Sequence, residues 1–372
     1  MGPITYTFEE LIAHKAAGVP ETALLALRRA ADEILTKPTM KVTDIKLPRP
    51  SGNIHDFTCI SQYRWPNHDT PDGLPWVRRD GEVNPDTKTE VHPGGVYGRV
   101  HTLALAYFYF GDERYFEYAE RQLHDWFINP ETYVEPNGLY AQSIPGICEG
   151  TAPGLIVFSQ NYELFNGMGI LESMGRLKPE IKDGVRVWFD RFTDWLLTHE
   201  HGVTESYAGN NHGSWYDAQV LSPLVYFDNR PQLIKNICQT AYYKRFVLQI
   251  EPDGSQPREL SRTKPIHYSL YNISALCVVA NLMKRCGFGE AWELDAERNE
   301  CILKSAVDFI YPYAMDPKSL PYPHIAADLV GAAPRIARYL LAVAKRYPNG
   351  DYAERAMKIV QNNECWLLEP SL

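Results

Sequence analysis

From Tyr97 to the C-terminus, apolar residues recur at the three-to-four spacing of an α-helix, segment after segment, with short breaks marked by Gly, Pro or Asn. This pattern constrains the fold more than any other feature. An amphipathic helix must bury its apolar stripe, and successive helices on short connections do so against one another as antiparallel neighbours. VYGRVHTLALAYFYFG predicts a helix ended by Gly111, and ERYFEYAERQLHDWFI predicts the next. Further helices are expected over 156–175, 183–199, 213–226, 231–250, 267–286, 293–314, 325–346 and 350–362. Residues 7–36 carry the same signal, with Thr7 as an N-cap ahead of FEEL. KVTDIKLP and IPGICEG are too short or too interrupted to anchor a sheet. Helix pairs without a strict repeat argue against an ankyrin- or TPR-type array. The expectation is an all-α protein, an (α/α) toroid or incomplete barrel of antiparallel helix pairs. No linker composition divides the 372 residues, so one domain is expected.

Residues 37–96 differ. They are rich in Pro, Gly, Asp and Trp and keep neither period, and long irregular segments inside compact domains are usually functional. Tyr63, Arg64, Trp65, Trp76, Arg78 and Arg79 interleave rings with guanidiniums. That suits sugar faces and carboxylates, although a loop with its Trp residues packed in the core explains it equally well.

The net charge of -9 removes weight from general nucleic-acid binding. An acidic chain can still bind an acidic polymer through a local cationic groove. The seven cysteines form no CxxC or Cys/His zinc spacing, and most lie in apolar helical contexts, which reads as buried thiols. No stretch reads as a membrane span, so no membrane partner is expected. The N-terminus lacks a signal peptide's charged start and apolar run, which leaves a cytoplasmic protein or an exported one with its leader removed. Oligomeric state is not readable from the sequence.

Two constellations carry chemistry. The first is YAGNNHGSWYDAQV, where Asn210, Asn211 and His212 open a helix after a Gly-containing turn, followed by Trp215. Two amides and an imidazole at a helix N-terminus make a carboxylate receptor, although one Asn can simply cap the helix and the His can be ordinary. The second is DGSQPRELSRTKPIHYSLYN, which packs Arg258, Arg262, Lys264, His267, Tyr268 and Tyr271 into one short span. Phenols directly beside cations fit proton abstraction next to a carboxylate. Elimination in a uronate removes the proton at C5, so the enzyme must neutralise the carboxylate and supply a base at C5 and an acid at O4. A tyrosine becomes a competent base once nearby cations favour its phenolate.

GNNHGSWYDAQV, followed some forty residues later by DGSQPRELSRTKPIHYSLYN, resembles the alginate lyase superfamily (polysaccharide lyase families 5, 17 and 38), and family 38 most closely. QYRWP, DGLPWVRRDGEVNP and AQSIPGICEG add to the resemblance. It implies an (α/α) toroid with an open cleft and an acidic polysaccharide partner, alginate or glucuronan; no cofactor is expected. Asn211 and His212 would neutralise the carboxylate or assist proton transfer, with Arg262 assisting. Tyr268 would be the catalytic acid and the base. Asn210, Tyr63, Arg64, Trp65, Trp76, Arg78, His101, Gln142 in AQSIPGICEG, Trp215, Arg258, Lys264 and His267 are the expected substrate contacts. Thr151 stands where some relatives have a basic residue.

Substrate stereochemistry sharpens this. In β-D-mannuronate and β-D-glucuronate the C5 proton and O4 lie on the same side, so one tyrosine can serve both. In α-L-guluronate they lie on opposite faces, which calls for two groups. Three rivals differ in what they need. A glycoside hydrolase needs two carboxyls at the scissile bond, with Glu149, Asp217 and Glu259 available. A non-catalytic polysaccharide-binding protein has no use for Tyr268 beside cations. A metal mechanism would draw on His68, Asp69, His92, His101 and His212, which form no tight ligand motif, so no metal is expected.

Overall fold

A computed structural model describes residues 2–370 apart from 294, 296, 298 and 330. Fourteen α-helices run through the described residues: α1 (Phe8–Ala17), α2 (Glu21–Leu35), α3 (Pro93–Phe110), α4 (Glu113–Phe127), α5 (Asn161–Ser173), α6 (Pro179–Thr198), α7 (Glu200–Ser206), α8 (Asn211–Phe227), α9 (Pro231–Ala241), α10 (Pro257–Leu260), α11 (Pro265–Arg285), α12 (Ile302–Met315), α13 (Ala332–Arg346) and α14 (Tyr352–Ile359). The protein is all-α. The chain forms two compact units, one built around Ala30–Tyr207 and the other from Pro3–Arg29 and the chain after Tyr207.

In the first unit α3 packs on α5 and α4, and α4 on α6. A side chain at Gly167 would meet the His101 backbone at 2.9 Å, so glycine lets α5 and α3 approach closely. Phe127, Trp188, Phe189 and Phe192 cluster beneath, and the Trp188 indole donates to the Val134 carbonyl at 2.6 Å. The irregular segment is held by short pairings. Thr58–Ile60 runs parallel to Tyr140–Ser143, with Thr58 opposite Tyr140. Arg64–Trp65 runs antiparallel to Val77–Arg78, with Arg64 opposite Arg78. Buried Asn84 donates from Nδ2 to the Arg64 carbonyl at 2.9 Å.

The second unit centres on α11, against which α8, α12 and α13 pack. Thr7 caps α1 with a reciprocal capping box, as its sequence implied. Tyr6 donates to the Glu369 carboxylate at 2.7 Å and Arg285 to the Pro3 carbonyl at 2.6 Å, tying in both ends of the chain.

Several expectations change. Residues 7–36 form two helices, because Gly18 takes positive φ and Pro20 follows it. The helix expected over 231–250 stops at Ala241 and continues as a π-helical turn, Tyr242–Val247. α12 starts at Ile302 and α13 at Ala332, later than their apolar patterns suggested. Cys59, Cys238, Cys277 and Cys301 are buried, but Cys148, Cys286 and Cys365 are partly exposed at loop and helix-end positions. Contrary to the sequence reading, α11 has the length and hydropathy of a membrane span. Its apolar window is 83% buried inside the protein, so its hydropathy is that of a core helix.

Candidate active site

Both constellations fall in the second unit and meet there. α8 begins at Asn211 and α11 at Pro265, and the two helices pack along their length. Their N-terminal halves lie side by side: the Trp215 ring sits 5.2 Å from that of Tyr271, and Ser214 and Asn272 both donate to Gln249 Oε1, at 3.1 and 3.0 Å. Two helix N-termini therefore lie near one another, each a partial positive charge that a buried carboxylate already meets. Arg258 lies against Gly209 ahead of α8, Arg262 over the Tyr268 ring, and Lys264 at the N-cap of α11. This local field is what the chain's net negative charge conceals.

Each start is fixed by a distant carboxylate. Glu259, on α10, is 1% exposed. Its Oε1 accepts from the Asn211 backbone N–H at 2.6 Å and its Oε2 from Asn211 Nδ2 at 2.7 Å. Burial pushes the Glu259 carboxyl above the ordinary range, while the two Asn211 bonds and the charges of Arg262 and His212 pull it back. Asn210, the N-cap residue by position, makes no capping bond with its side chain. On α11 the capping group is Asp328, which accepts from Ile266 N and His267 N at 2.9 Å each.

The turn before α8 is held from below. Arg245 is 2% exposed and forms a two-pronged pair with Asp217, Nε to Oδ2 at 2.7 Å and Nη2 to Oδ1 at 3.1 Å. Its Nη1 donates to the Ala208 carbonyl at 2.7 Å. A Cβ at Gly213 would meet that carbonyl at 2.0 Å and Nη1 at 2.3 Å, so the glycine is sterically required. A Cβ at Gly209 would likewise collide with the Arg258 guanidinium at 2.2 Å.

Tyr268 is 5% exposed, with the Arg262 guanidinium 3.8 Å above its ring. The cation stabilises negative charge on the phenol through space. His267 packs edge-on to Tyr268 at 5.0 Å. Arg335 Nη1 lies 3.0 Å from His267 Nδ1. A guanidinium cannot accept, so Nδ1 must, and the proton of the neutral ring sits on Nε2. Burial, then Arg335, Lys264 and Arg262, push the His267 imidazole down to about 4. His267 is thus a neutral donor at ordinary pH.

The other sequence candidates, Tyr63, Arg64, Trp65, Trp76, Arg78, His101 and Gln142, belong to the first unit. Trp65 and Trp76 are partly exposed, which removes the core-packing explanation for these two rings. Arg79 lies 5.0 Å above the Trp65 ring, and Arg78 pairs with Asp80 at 2.7 Å. Gln142 adopts positive φ (52°), an unusual conformation for a side-chain-bearing residue. Thr151 caps the turn that follows it by accepting from Gly154 N at 3.1 Å. Tyr322 and His324 bond each other locally, while Ile325 N donates to the Thr263 carbonyl, so this segment braces the cation-bearing turn. Among the described residues no three His, Cys, Asp or Glu side chains gather as a metal-ligand set.

Sequence reasoning missed Arg245, Asp328 and Arg335, and assigned Glu259 only to the hydrolase alternative. Each acts across 28 residues or more, and no local spacing marks it.

The sequence model of the alginate lyase family matches residues 41–320, more than half of the chain. No curated protein matches. Among solved structures, an alginate lyase from Bacteroides ovatus is 29% identical, with a TM-score of 0.91 and 99% of each chain covered. Alginate lyase A1-III from Sphingomonas species A1 shares the fold at 16% identity and a TM-score of 0.55, over 92% of this chain and 93% of that one. A variant of A1-III complexed with tetrasaccharide is also 16% identical, with a TM-score of 0.56 over 95% and 96%.

Proposed function

The chain belongs to the alginate lyase family and is a polysaccharide lyase, and from that premise we propose that it cleaves 1,4-linked alginate by β-elimination, with mannuronate-type residues preferred and a C4–C5 unsaturated sugar as product. One observation carries the reading: a buried phenol, Tyr268, under the Arg262 guanidinium, on a helix whose N-terminal half packs against that of the helix opened by Asn211 and His212. The uronate carboxylate binds beside Asn211, His212 and Arg262, whose donors and charge stabilise it. The Tyr268 phenolate takes the C5 proton. The electron pair passes into the carboxylate as an aci-carboxylate, then forms the C4–C5 double bond as the C4–O4 bond breaks. Tyr268 returns the proton to O4 and is a phenolate again. Same-side geometry at C5 and O4 lets a single residue do both.

A hydrolase is disfavoured by the state of the carboxyls. Asp217 is paired with Arg245 and both Glu259 oxygens accept from Asn211, which leaves Glu149 alone of the three where hydrolysis needs two carboxyls. Glucuronan is the alternative substrate, because its sugar differs from mannuronate only at C2, away from C4 and C5. The test is ultraviolet absorbance of the unsaturated uronate on polymannuronate, polyguluronate and glucuronan offered separately. The expected rise is fastest on polymannuronate, and Tyr268→Phe abolishes it. Near-normal turnover by Tyr268→Phe would overturn the assignment of Tyr268, and reducing ends appearing without absorbance would overturn elimination itself.

A further inference from the structure

The buried carboxylate on Asn211 has a catalytic consequence. An ordinary helix start is capped by its own N-cap side chain. α8 is instead capped from 48 residues away, by Glu259 of the short α10, three residues before Arg262. Glu259 does more than cap. It grips the Asn211 backbone with one oxygen and the Asn211 amide with the other. Both oxygens accept, as an ionised carboxylate does. The second bond fixes which end of the amide carries nitrogen, so Asn211 cannot flip. It uses one of the two Nδ2 protons and leaves the other in a set direction. It also places a negative charge among the cations around Tyr268, which keeps them from repelling one another.

We propose that Glu259 is a positioning residue for elimination: it orients the Asn211 amide so that its remaining proton meets the substrate carboxylate as charge builds in the transition state. This rests on the lyase reading above. A preorganised donor matters most where charge develops, so its loss falls on kcat more than on KM. Glutamine has the same shape, but its NH2 must face one of the two Asn211 donors, so Glu259→Gln breaks one arm of the grip.

The experiment is a double-mutant cycle on the full chain, with wild type, Glu259→Gln, Asn211→Ala and the double variant, read by ultraviolet absorbance on polymannuronate. Glu259→Gln is expected to lose about 10²-fold in kcat, the order seen for one preorganised donor, with KM within about threefold. In the Asn211→Ala background the same change is expected to cost almost nothing further, because the side-chain target is gone and the glutamine oxygen still accepts from the residue-211 backbone N–H. A merely structural lesion lowers the active fraction equally in both backgrounds, so its losses multiply. Multiplying losses, or a Glu259→Gln kcat within about threefold of wild type, would overturn the proposal. Should Glu259→Gln not fold, Glu259→Asp keeps the charge at the α8 start, withdraws the grip by one methylene and is expected to give the same non-additivity. Tyr268→Phe separates the two failures. If it is inactive while Glu259→Gln is fully active, only the positioning role falls. If it is active, the catalytic reading falls with it.

Discussion

Replacing Arg245 with methionine removes one half of a buried pair and leaves the Asp217 carboxylate, 6% exposed, without its counter-charge. Breaking such a pair from one side costs about 3–5 kcal/mol. The Ala208 carbonyl also loses its donor, worth about 1 kcal/mol more. A total of about 4–6 kcal/mol is a large part of the roughly 5–15 kcal/mol that holds a typical protein folded. Urea unfolding followed by circular dichroism reads this as a midpoint lower by more than about 1 M. The double variant Arg245→Met with Asp217→Leu removes both charges and is expected to regain most of the loss, ending within about 2 kcal/mol of wild type. Activity should part company with stability here. Ala208 still lacks its anchor, so the turn leading into Asn210, Asn211 and His212 stays loose and kcat stays low. A double variant as unstable as the single one would refute the electrostatic account. Full recovery of kcat in the double variant would refute the claim that Arg245 holds the catalytic turn. So would an Arg245→Met protein within about 1 kcal/mol of wild type.

Two further predictions follow from the same surroundings. His267 titrates near 4 in the folded protein and near 6.5 when unfolded, so as pH falls below about 6.5 the unfolded chain binds the proton first. The folded state therefore loses stability between about pH 6.5 and 4, by up to about 3 kcal/mol, and His267→Gln should flatten that slope in urea midpoints measured across the window. A slope unchanged in the variant would show that His267 is not its source. Asp328→Ala frees the Ile266 and His267 N–H groups at the start of α11 and should cost about 1–2 kcal/mol, with a fall in kcat as the Tyr268 turn frays. An unchanged urea midpoint would refute the capping role.

The residues of the site were legible in the sequence because they cluster. Asn210, Asn211 and His212 adjoin, and Arg262 stands six residues before Tyr268, so local spacing alone put reactive types together. The helical class was legible for a similar reason, since amphipathic stripes in α4, α9 and α13 repeat at the helical period. α8 was harder. All but two of its seventeen residues are buried, polar ones included, and a helix buried on every side has no clear stripe to read. The same burial gives α11 the hydropathy of a membrane span, which the sequence reading did not recognise. The short α7 and α10 carry too few residues to show a period.

By itself the sequence determined that the chain is helical and which residues stand together as candidates for the chemistry, because both are written in neighbours along the chain. Only the tertiary structure decided how those residues are held. Glu259 reaches Asn211, Arg245 reaches Asp217 and Ala208, Asp328 reaches the start of α11, and Arg335 fixes the His267 tautomer. A charge can be buried only where a partner meets it. That partner is chosen by distance in space, which residue order does not encode.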